Sequence, residues 1–280
     1  MTGPPPRFSV VIPTYGRRAF LAEAVASVLA QSFTDFECIV VDDASPEPAT
    51  LPDDPRLRLI RRDTNGGPPA ARNTGLAAAT GRWVAFLDDD DVWAPDRLAA
   101  AARAHERAPV VICWQATLGR EEHAAAGRVL EGDVRDTVLD GMIPHLGTTS
   151  VERAIVPEFD ERYEASDDVE WWLRLAQQAT VATVPCVGLL YRVHDGPRTR
   201  TGQRNRIHDA TMLLAEHEDW FRDHPRAKAF RLKRMGLSAL QVDDRSLARR
   251  CLLESFRLRP EPRTVWHALR SFAPRRGSDA

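Results

Sequence analysis

Residues 83–93 read WVAFLDDDDVW, an apolar run that leads directly into four consecutive aspartates. A short apolar run without polar alternation is typical of a strand that is buried on both faces of a sheet. Four neighbouring carboxylates repel one another, so either a pKa rises or a cation joins them. An acidic helix N-terminus ahead of Pro95, favoured by the helix dipole, explains the run equally well on its own.

Outward from this stretch, predicted strands alternate with predicted helices. The sequence predicts strands at 8–12, 37–41, 57–60, 83–87 and 109–114, and helices at 19–30, from 67 to about 81, and from Pro95 onward. Such alternation indicates an α/β fold, in which helices cover both faces of a mostly parallel sheet.

The later part of the chain has a different pattern. A helix at 168–179 and two short strands at 181–184 and 187–193 are predicted first, and from about residue 203 the apolar spacing is helical throughout. The last two helices resemble a single hairpin of a tetratricopeptide-type repeat, which is too little for a solenoid. We therefore predict two domains, an α/β domain at 1–202 and a C-terminal helical region at 203–280.

The charge is divided unevenly along the chain. The 280 residues are 43% hydrophobic and carry a net charge of −2. Residues 1–190 carry −11, however, whereas residues 191–280 carry +9. The acidic part suits a bound cation, and the basic part suits anionic lipid, phosphate or the acidic part itself. Solvated helix faces account for the same imbalance.

The cysteines and the N-terminal sequence bear on location. The four cysteines stand singly, mostly in apolar runs, which is typical of reduced core residues. The N-terminal residues do not form a signal peptide, and no apolar run approaches the roughly 18 residues of a membrane span. We expect a cytoplasmic protein and leave peripheral attachment to the inner face of a membrane open.

Polar residues follow three of the predicted strands at the point where each strand ends. These are Thr14 and Tyr15, Asp42 and Asp43, and the aspartates 88–91. In open α/β sheets, ligands bind beyond the carboxyl ends of the strands. Carboxylate oxygens select Mg²⁺ or Mn²⁺, and both ions also bind phosphate oxygens. The sequence therefore predicts a site for a divalent ion and a diphosphate.

Six segments, in order, resemble the motifs of glycosyltransferase family 2 over roughly residues 8–200. They are VVIPTYGR (10–17), IVVDDAS (39–45), NGGPPAARNTGL (65–76), WVAFLDDDDVWAPDRL (83–98), SDDVEWWLRLA (166–176) and YRVH (191–194). The resemblance implies a Rossmann-like GT-A fold and an inverting transfer of a sugar from a nucleotide diphosphate to an acceptor hydroxyl. It also implies a Mn²⁺ or Mg²⁺ cofactor and a UDP-, GDP- or dTDP-linked donor.

The resemblance assigns roles to the residues that contact the donor. Pro13, Thr14 and Tyr15 match the segment beside the nucleobase, and Asp43 matches the carboxylate that accepts a hydrogen bond from the base. Arg72 matches a residue near the nucleotide and its phosphates.

The DXD element of the family corresponds to Asp88, Asp89 and Asp90, with Asp89 near the ribose and Asp90 as the metal ligand. Many relatives carry a small residue where Asp89 stands. His194 matches a loop histidine near the metal or the diphosphate, and Arg198 or Arg200 is expected to close over the donor.

Asp168 matches the general base, and Asp167 precedes it where the family more often has glutamate. These two aspartates can alternatively cap the helix that carries Trp171 and Trp172, with Glu170 completing a capping box. The acceptor, a carbohydrate, a lipid-linked molecule or a small molecule, has no readable signal, and neither has the oligomeric state. Nucleic acid is not an expected partner.

Two other functional classes of protein are alternatives to a glycosyltransferase. A haloacid-dehalogenase-like phosphohydrolase would use Asp88 and Asp90, but it needs a later lysine in its site, and the only lysines are Lys228 and Lys233 in the helical region. A nucleotide-sugar-binding protein without catalysis would lack the base, whereas Asp168 is present. The turn PTYGRR after the first strand is not the GxGxxG sequence of dinucleotide oxidoreductases.

Overall fold

The computed structural model describes residues 4–120, 127–139, 143–193 and 200–270. Within these ranges the strands form one sheet of eight. The strands are β1 (Phe8–Thr14), β2 (Phe36–Asp42), β3 (Leu57–Arg61), β4 (Trp83–Phe86), β5 (Val92–Trp93), β6 (Val110–Thr117), β7 (Thr149–Glu152) and β8 (Val181–Tyr191).

The helices of the described ranges lie before, between and after these strands. They are α1 (Arg18–Leu29), α2 (Gly67–Ala78), α3 (Arg97–Ala104), α4 (Arg135–Leu139), α5 (Asp167–Ala176), α6 (Arg200–Glu216), α7 (Glu218–Asp223), α8 (Pro225–Gln241), α9 (Arg245–Leu258) and α10 (Pro262–Arg270).

The sheet is mixed, in the order β3-β2-β1-β4-β7-β6-β8-β5. The pairs β1–β2, β2–β3, β1–β4 and β6–β8 are parallel. Strand β7 runs antiparallel to both of its neighbours, and β5 runs antiparallel to β8. The predicted α/β fold class, with its mostly parallel sheet and C-terminal helices, is confirmed.

The parallel strands β1, β2 and β4 bring the predicted polar strand ends to one edge of the sheet. All seven residues of β1 and all four of β4 are buried, because helices cover both faces of the sheet. The register pairs Thr14 with Asp42, and the amide of Leu87 donates to the carbonyl of Val11. Asp88, which follows Leu87, therefore lies at the same edge as Thr14 and Asp42.

Helix α2 packs closely against β1 because of one glycine. A Cβ atom added at Gly75 would lie 2.3 Å from Cγ1 of Val11. Only hydrogen fits in that gap, so glycine sets the separation between the helix and the strand.

Strand β7 was not predicted, because it lacks the apolar pattern of a buried strand. Thr149 and Ser150 are fully buried, yet their polar groups have partners. Nε2 of His105 lies 2.9 Å from the hydroxyl of Ser150, and the guanidinium of Arg97 donates to the carbonyl of Thr149 at 2.8 Å. Polar residues are tolerated in a central strand when such bonds satisfy them.

Strand β8 also differs from the prediction, which placed two short strands at 181–184 and 187–193. The structure has one strand, Val181–Tyr191. Its pairing with β6 shifts register between Cys113 and Gln115. Such an irregularity interrupts the sequence pattern of a strand without ending the strand.

The chain divides into two compact units. The first comprises Met1–Val138, Ile143–Arg162 and Asp167–Asp195, and it contains the sheet. The second comprises Leu139–Met142, Tyr163–Ser166 and Gly196–Ala280; within it, Ala239 of α8 and Ala248 and Leu252 of α9 form a small apolar core. The domain boundary between residues 202 and 203 stays a prediction.

None of the helices in the described ranges has the length and apolar character that a membrane crossing requires.

Candidate active site

A cavity of about 480 Å³ opens at the carboxyl ends of β1, β2 and β4. Eight of the predicted site residues line it: Pro13, Thr14, Tyr15, Asp43, Arg72, Asp88, Asp89 and Asp90. The other lining residues are Arg17, Asn65, Gly67, Pro68 and Ala71. The volume lies within the usual range for small-molecule sites.

The end of β1 supplies an aromatic wall and a hydroxyl. Tyr15 is half exposed, so one part of its ring is open to the cavity. Thr14 is buried, and its hydroxyl donates to Oδ2 of Asp89 at 2.7 Å. This bond links the end of β1 to the aspartate run after β4.

The adjacent aspartates at the end of β2 have different environments. The carboxylate of Asp42 accepts from the amides of Ser45 and Ala49 at 2.8 and 3.0 Å, so it shapes the loop that follows. The carboxylate of Asp43 accepts from the amide of Gly67 at 2.7 Å and from Arg62, and it lines the cavity. Of the two, Asp43 is therefore the one positioned to meet a ligand.

Arg72 joins the aspartate run to the start of α5. Its guanidinium donates to Oδ1 of Asp88 at 2.8 Å and to Oδ2 of Asp167 at 2.6 Å. Burial lowers the pKa of Arg72, but the charges of Asp88, Asp167 and Asp168 outweigh that effect and raise it. The arginine therefore stays charged and holds the two carboxylates in place.

Arg17 forms ion pairs with the middle of the aspartate run. Its Nη1 lies 2.5 Å from Oδ2 of Asp90 and 3.3 Å from Oδ1 of Asp89. Burial raises the pKa of Asp89, while Thr14 and Arg17 offset part of that rise. Sequence reasoning gave Arg17 no role, although the motif VVIPTYGR ends on it.

The last aspartate of the run, Asp91, is the most deeply buried, with 1% of its side chain exposed. Its Oδ1 accepts from the amide of Arg192 at 2.9 Å. Its Oδ2 has no hydrogen-bond partner among the described residues. Burial raises the pKa of this carboxyl to about 7, and the charges of Asp88 and Asp90 add to the effect.

His145 completes a group that has some of the properties of a metal site. Ligand atoms of Asp88, Asp91 and His145 lie within 4.8 Å of one another. The two carboxylates suit a hard divalent ion. Nδ1 of His145, however, accepts from the amide of Gly147 at 3.1 Å. Nε2 therefore carries the proton in the neutral ring, and it must lose that proton before it can bind a metal. His145 was not predicted, since no pattern is readable in residues 117–165.

Asp167 and Asp168 begin helix α5. Burial raises the pKa of Asp167 to about 6, despite the opposing charge of Arg72. The carboxylate of Glu170 pairs with Arg174 at 2.6 Å. The capping role of these acidic residues stays an alternative prediction. Trp171 and Trp172 are fully buried and belong to the core.

Two predicted residues, His194 and Arg198, lie outside the described residues. The predicted roles of the other site residues stay predictions, although eight of these residues meet at one cavity.

The sheet order and the polar strand ends define a Rossmann-like α/β protein of the GT-A type. The family model described as Glycosyl transferase family 2 matches residues 9–131. The succinoglycan biosynthesis protein ExoO of Rhizobium meliloti is 31% identical over 310 aligned positions, which cover 96% of this chain and 88% of ExoO. The chain belongs to glycosyltransferase family 2.

Other known proteins support the same fold and family. The putative colanic acid biosynthesis glycosyl transferase WcaA of Escherichia coli is 37% identical over 33% of this chain and 36% of its own length. Residues 1–349 of S. aureus TarS superimpose with a TM-score of 0.65 at 17% identity, over 95% of this chain and 89% of that one. The mannosyltransferase PcManGT of Pyrobaculum calidifontis, in complex with GDP-Man and Mn²⁺, gives a TM-score of 0.58 at 18% identity, over 96% and 80% of the two chains.

Proposed function

We propose that this glycosyltransferase is a divalent-metal-dependent, inverting hexosyltransferase that uses Asp168 as its general base. The donor is a UDP-, GDP- or dTDP-linked sugar, and the acceptor presents a hydroxyl group. One observation carries the proposal: Asp43, Arg72 and the first three aspartates of the run line a single cavity. Family membership excludes the phosphohydrolase alternative.

The nucleotide end of the donor meets Tyr15 and Asp43. The half-exposed ring of Tyr15 is available to stack on a base. A carboxylate is an acceptor only, so Asp43 recognises a base through a ring N–H. The two complexes of structural neighbours, TarS with UDP-GlcNAc and PcManGT with GDP-Man, support a nucleotide-sugar in this fold.

The diphosphate end lies toward the aspartate run. A divalent ion held by Asp90, with Asp88 and Asp91 nearby and His194 as a further expected ligand, would neutralise the leaving diphosphate. Asp88 is 29% exposed and meets the cavity, so it is accessible to such an ion. PcManGT in complex with Mn²⁺ supports Mn²⁺ as the ion.

The reacting hydroxyl is placed near the start of α5. Asp168 accepts the hydroxyl proton as the oxygen attacks the anomeric carbon from the side opposite the nucleotide, so the configuration inverts. The charge of Asp168 acts on Arg72, which also contacts the aspartate run, and this supports placing base and donor in one site. Asp167 contacts Arg72 directly and orients the segment.

A carbohydrate or lipid-linked acceptor is supported by the names of the relatives, which refer to succinoglycan and colanic acid biosynthesis. The net charge of +9 on residues 191–280 supports peripheral contact with an anionic membrane at the cytoplasmic face. Sedimentation with vesicles containing phosphatidylglycerol tests this contact; protein that stays in the supernatant at low salt contradicts it.

The function is tested by screening UDP-, GDP- and dTDP-sugars by thermal shift with and without Mn²⁺. A ligand that binds only the folded state raises the melting temperature. We expect one nucleotide series to do so, and to do so more strongly with Mn²⁺. The proposed metal dependence predicts that Asp90→Ala removes the Mn²⁺-dependent part of the shift. No shift with any nucleotide-sugar would contradict the proposed function.

A further inference from the structure

The guanidinium of Arg17 contacts the carboxylate of Asp90, which is the residue proposed above to hold the divalent ion. Its Nη1 contacts both Asp90 and Asp89, at 2.5 and 3.3 Å. Both contacts use this one nitrogen. The arginine therefore does not form the bidentate pair, with two parallel hydrogen bonds, that makes arginine–carboxylate contacts strong.

The arginine side chain is also placed so that it can move. Half of it is exposed, whereas the carboxylates that it contacts are 7% and 16% exposed. The backbone of Arg17 is held, because its carbonyl accepts from the amide of Leu21 at the start of α1. The side chain can therefore turn within the cavity, which it lines, while its backbone stays fixed.

Charge balance favours an exchange when a donor binds with its ion. In the ligand-free protein, Arg17 offsets one of the two negative charges of Asp89 and Asp90. A divalent ion at Asp90 brings two positive charges to the same carboxylates and repels the guanidinium. A bound diphosphate offers that guanidinium a second group of oxygen acceptors, and arginine binds phosphate well.

We propose that Arg17 is the resident counter-ion of Asp89 and Asp90, and that it leaves these carboxylates for the donor diphosphate when the divalent ion binds. The proposal rests on the proposed function. It makes Arg17 a competitor of the metal and a binding residue for the diphosphate at the same time, so one substitution has opposite effects on the two ligands.

The test uses the full-length protein with Arg17→Gln and a matched control, Arg18→Gln. Arg18→Gln removes the same charge one residue away. The side chain of Arg18 is 49% exposed and pairs with Glu47 at 2.8 Å, not with the aspartate run. Mn²⁺ alone is titrated by electron paramagnetic resonance. Inorganic pyrophosphate is then titrated by calorimetry at saturating Mn²⁺, so that the identity of the base does not matter.

We expect Arg17→Gln to bind Mn²⁺ about two- to fivefold more tightly than the wild type, as removal of a half-exposed competing ion pair predicts. We expect the same variant to bind pyrophosphate about tenfold more weakly, because a charge-assisted contact is lost. Arg18→Gln should match the wild type in both titrations. A general structural defect would weaken both ligands and cannot produce the opposite signs.

Unchanged or weaker Mn²⁺ binding by Arg17→Gln overturns the competition, while the proposed metal dependence then still stands. Unchanged pyrophosphate binding overturns the exchange. Absence of Mn²⁺ binding in every variant, even with pyrophosphate present, overturns both the metal dependence and the exchange.

Discussion

Arg72 and Asp167 lie 95 residues apart in the sequence, yet their side chains meet at 2.6 Å. This contact connects helix α2 to the first residue of α5, and the same guanidinium holds Asp88 after β4. The arginine side chain is only 7% exposed. A buried cation between two carboxylates is a place where removal of one partner has large effects.

Replacing Arg72 tests this connection. Arg72→Met leaves Asp88 and Asp167 without their cation, so we expect the free energy of unfolding to fall by about 3 kcal/mol and transfer to be lost. Urea unfolding at pH 7.5 measures the first effect. The control is Arg135→Ala, which breaks a surface pair whose members are 53% and 54% exposed and should change stability by less than about 1 kcal/mol. Equal effects of the two variants would contradict the bridging role.

The proposed role of Asp168 as general base is tested with a variant of that residue. Asp168→Asn keeps the size and polarity of the side chain but cannot accept the proton, so we expect transfer to fall at least about a hundredfold. Donor binding, measured by thermal shift with Mn²⁺, should stay within about twofold of the wild type. Asp133→Asn, which changes a surface carboxylate, is the control and should transfer normally. A normal rate in Asp168→Asn would remove this residue from the mechanism.

The buried carboxyl of Asp91 predicts a pH dependence of stability. Its pKa is about 7 in the folded protein against 3.8 for the unperturbed group. A raised folded-state pKa means that the contribution to stability is complete below pH 4 and is lost as pH rises through 7. One pKa unit corresponds to about 1.4 kcal/mol, so between pH 5 and pH 8 this loss approaches roughly 3 kcal/mol.

Asp91→Asn removes that loss, because asparagine does not ionise and can still accept from the amide of Arg192. Without added metal, we expect the variant to gain stability relative to the wild type as pH rises from 5 to 8, measured by urea unfolding. The control is Asp54→Asn. Arg56 lowers the pKa of Asp54 to about 2, so that carboxylate is ionised throughout this range and the comparison should be flat. A flat comparison for Asp91→Asn as well would show that its carboxyl ionises normally.

The close contact between α2 and β1 predicts that a single methyl group added at Gly75 destabilises the protein. Gly75→Ala places a carbon 2.3 Å from Val11, so helix and strand must move apart, and we expect a loss of about 2 kcal/mol in unfolding free energy. Ala77→Ser, at an exposed position of the same helix, should stay within about 0.5 kcal/mol. A thermal unfolding scan distinguishes the two, and a neutral Gly75→Ala would contradict the close packing.

Strands β1, β2 and β4 were predictable, because they are apolar runs that are buried almost throughout. Residues 8–12 predicted β1, and residues 37–41 predicted β2, each within two residues of the observed ends. Strand β7 was missed, since buried threonine and serine show no hydrophobic pattern and depend on His105 and Arg97, which are distant in sequence. The polar residues of β7 are tolerated in the core because of hydrogen bonds to distant parts of the chain, and the spacing of residues in the sequence does not reveal such bonds.

The candidate site was predictable where polar residues end a strand. Asp43 and Asp88 follow apolar runs, and parallel strands bring such ends together. Two of the cations at the site were not predictable. The contacts of Arg62 with Asp43 and of Arg17 with Asp90 have no local sequence signal. Partner choice depends on the three-dimensional path of the chain, which spacing alone does not give.

The central position of β7 has a consequence for synthesis of the protein on the ribosome. Strand β7 lies between β4 and β6, so the sheet is incomplete at this place until residues 149–152 have emerged. Strand β4 itself is complete some 60 residues earlier. During that interval the nascent chain presents β4 as an unpaired apolar edge, which is a template for association with other chains. Termination between β6 and β7 would make this exposure permanent, so shortened products should aggregate instead of accumulating as partly active fragments.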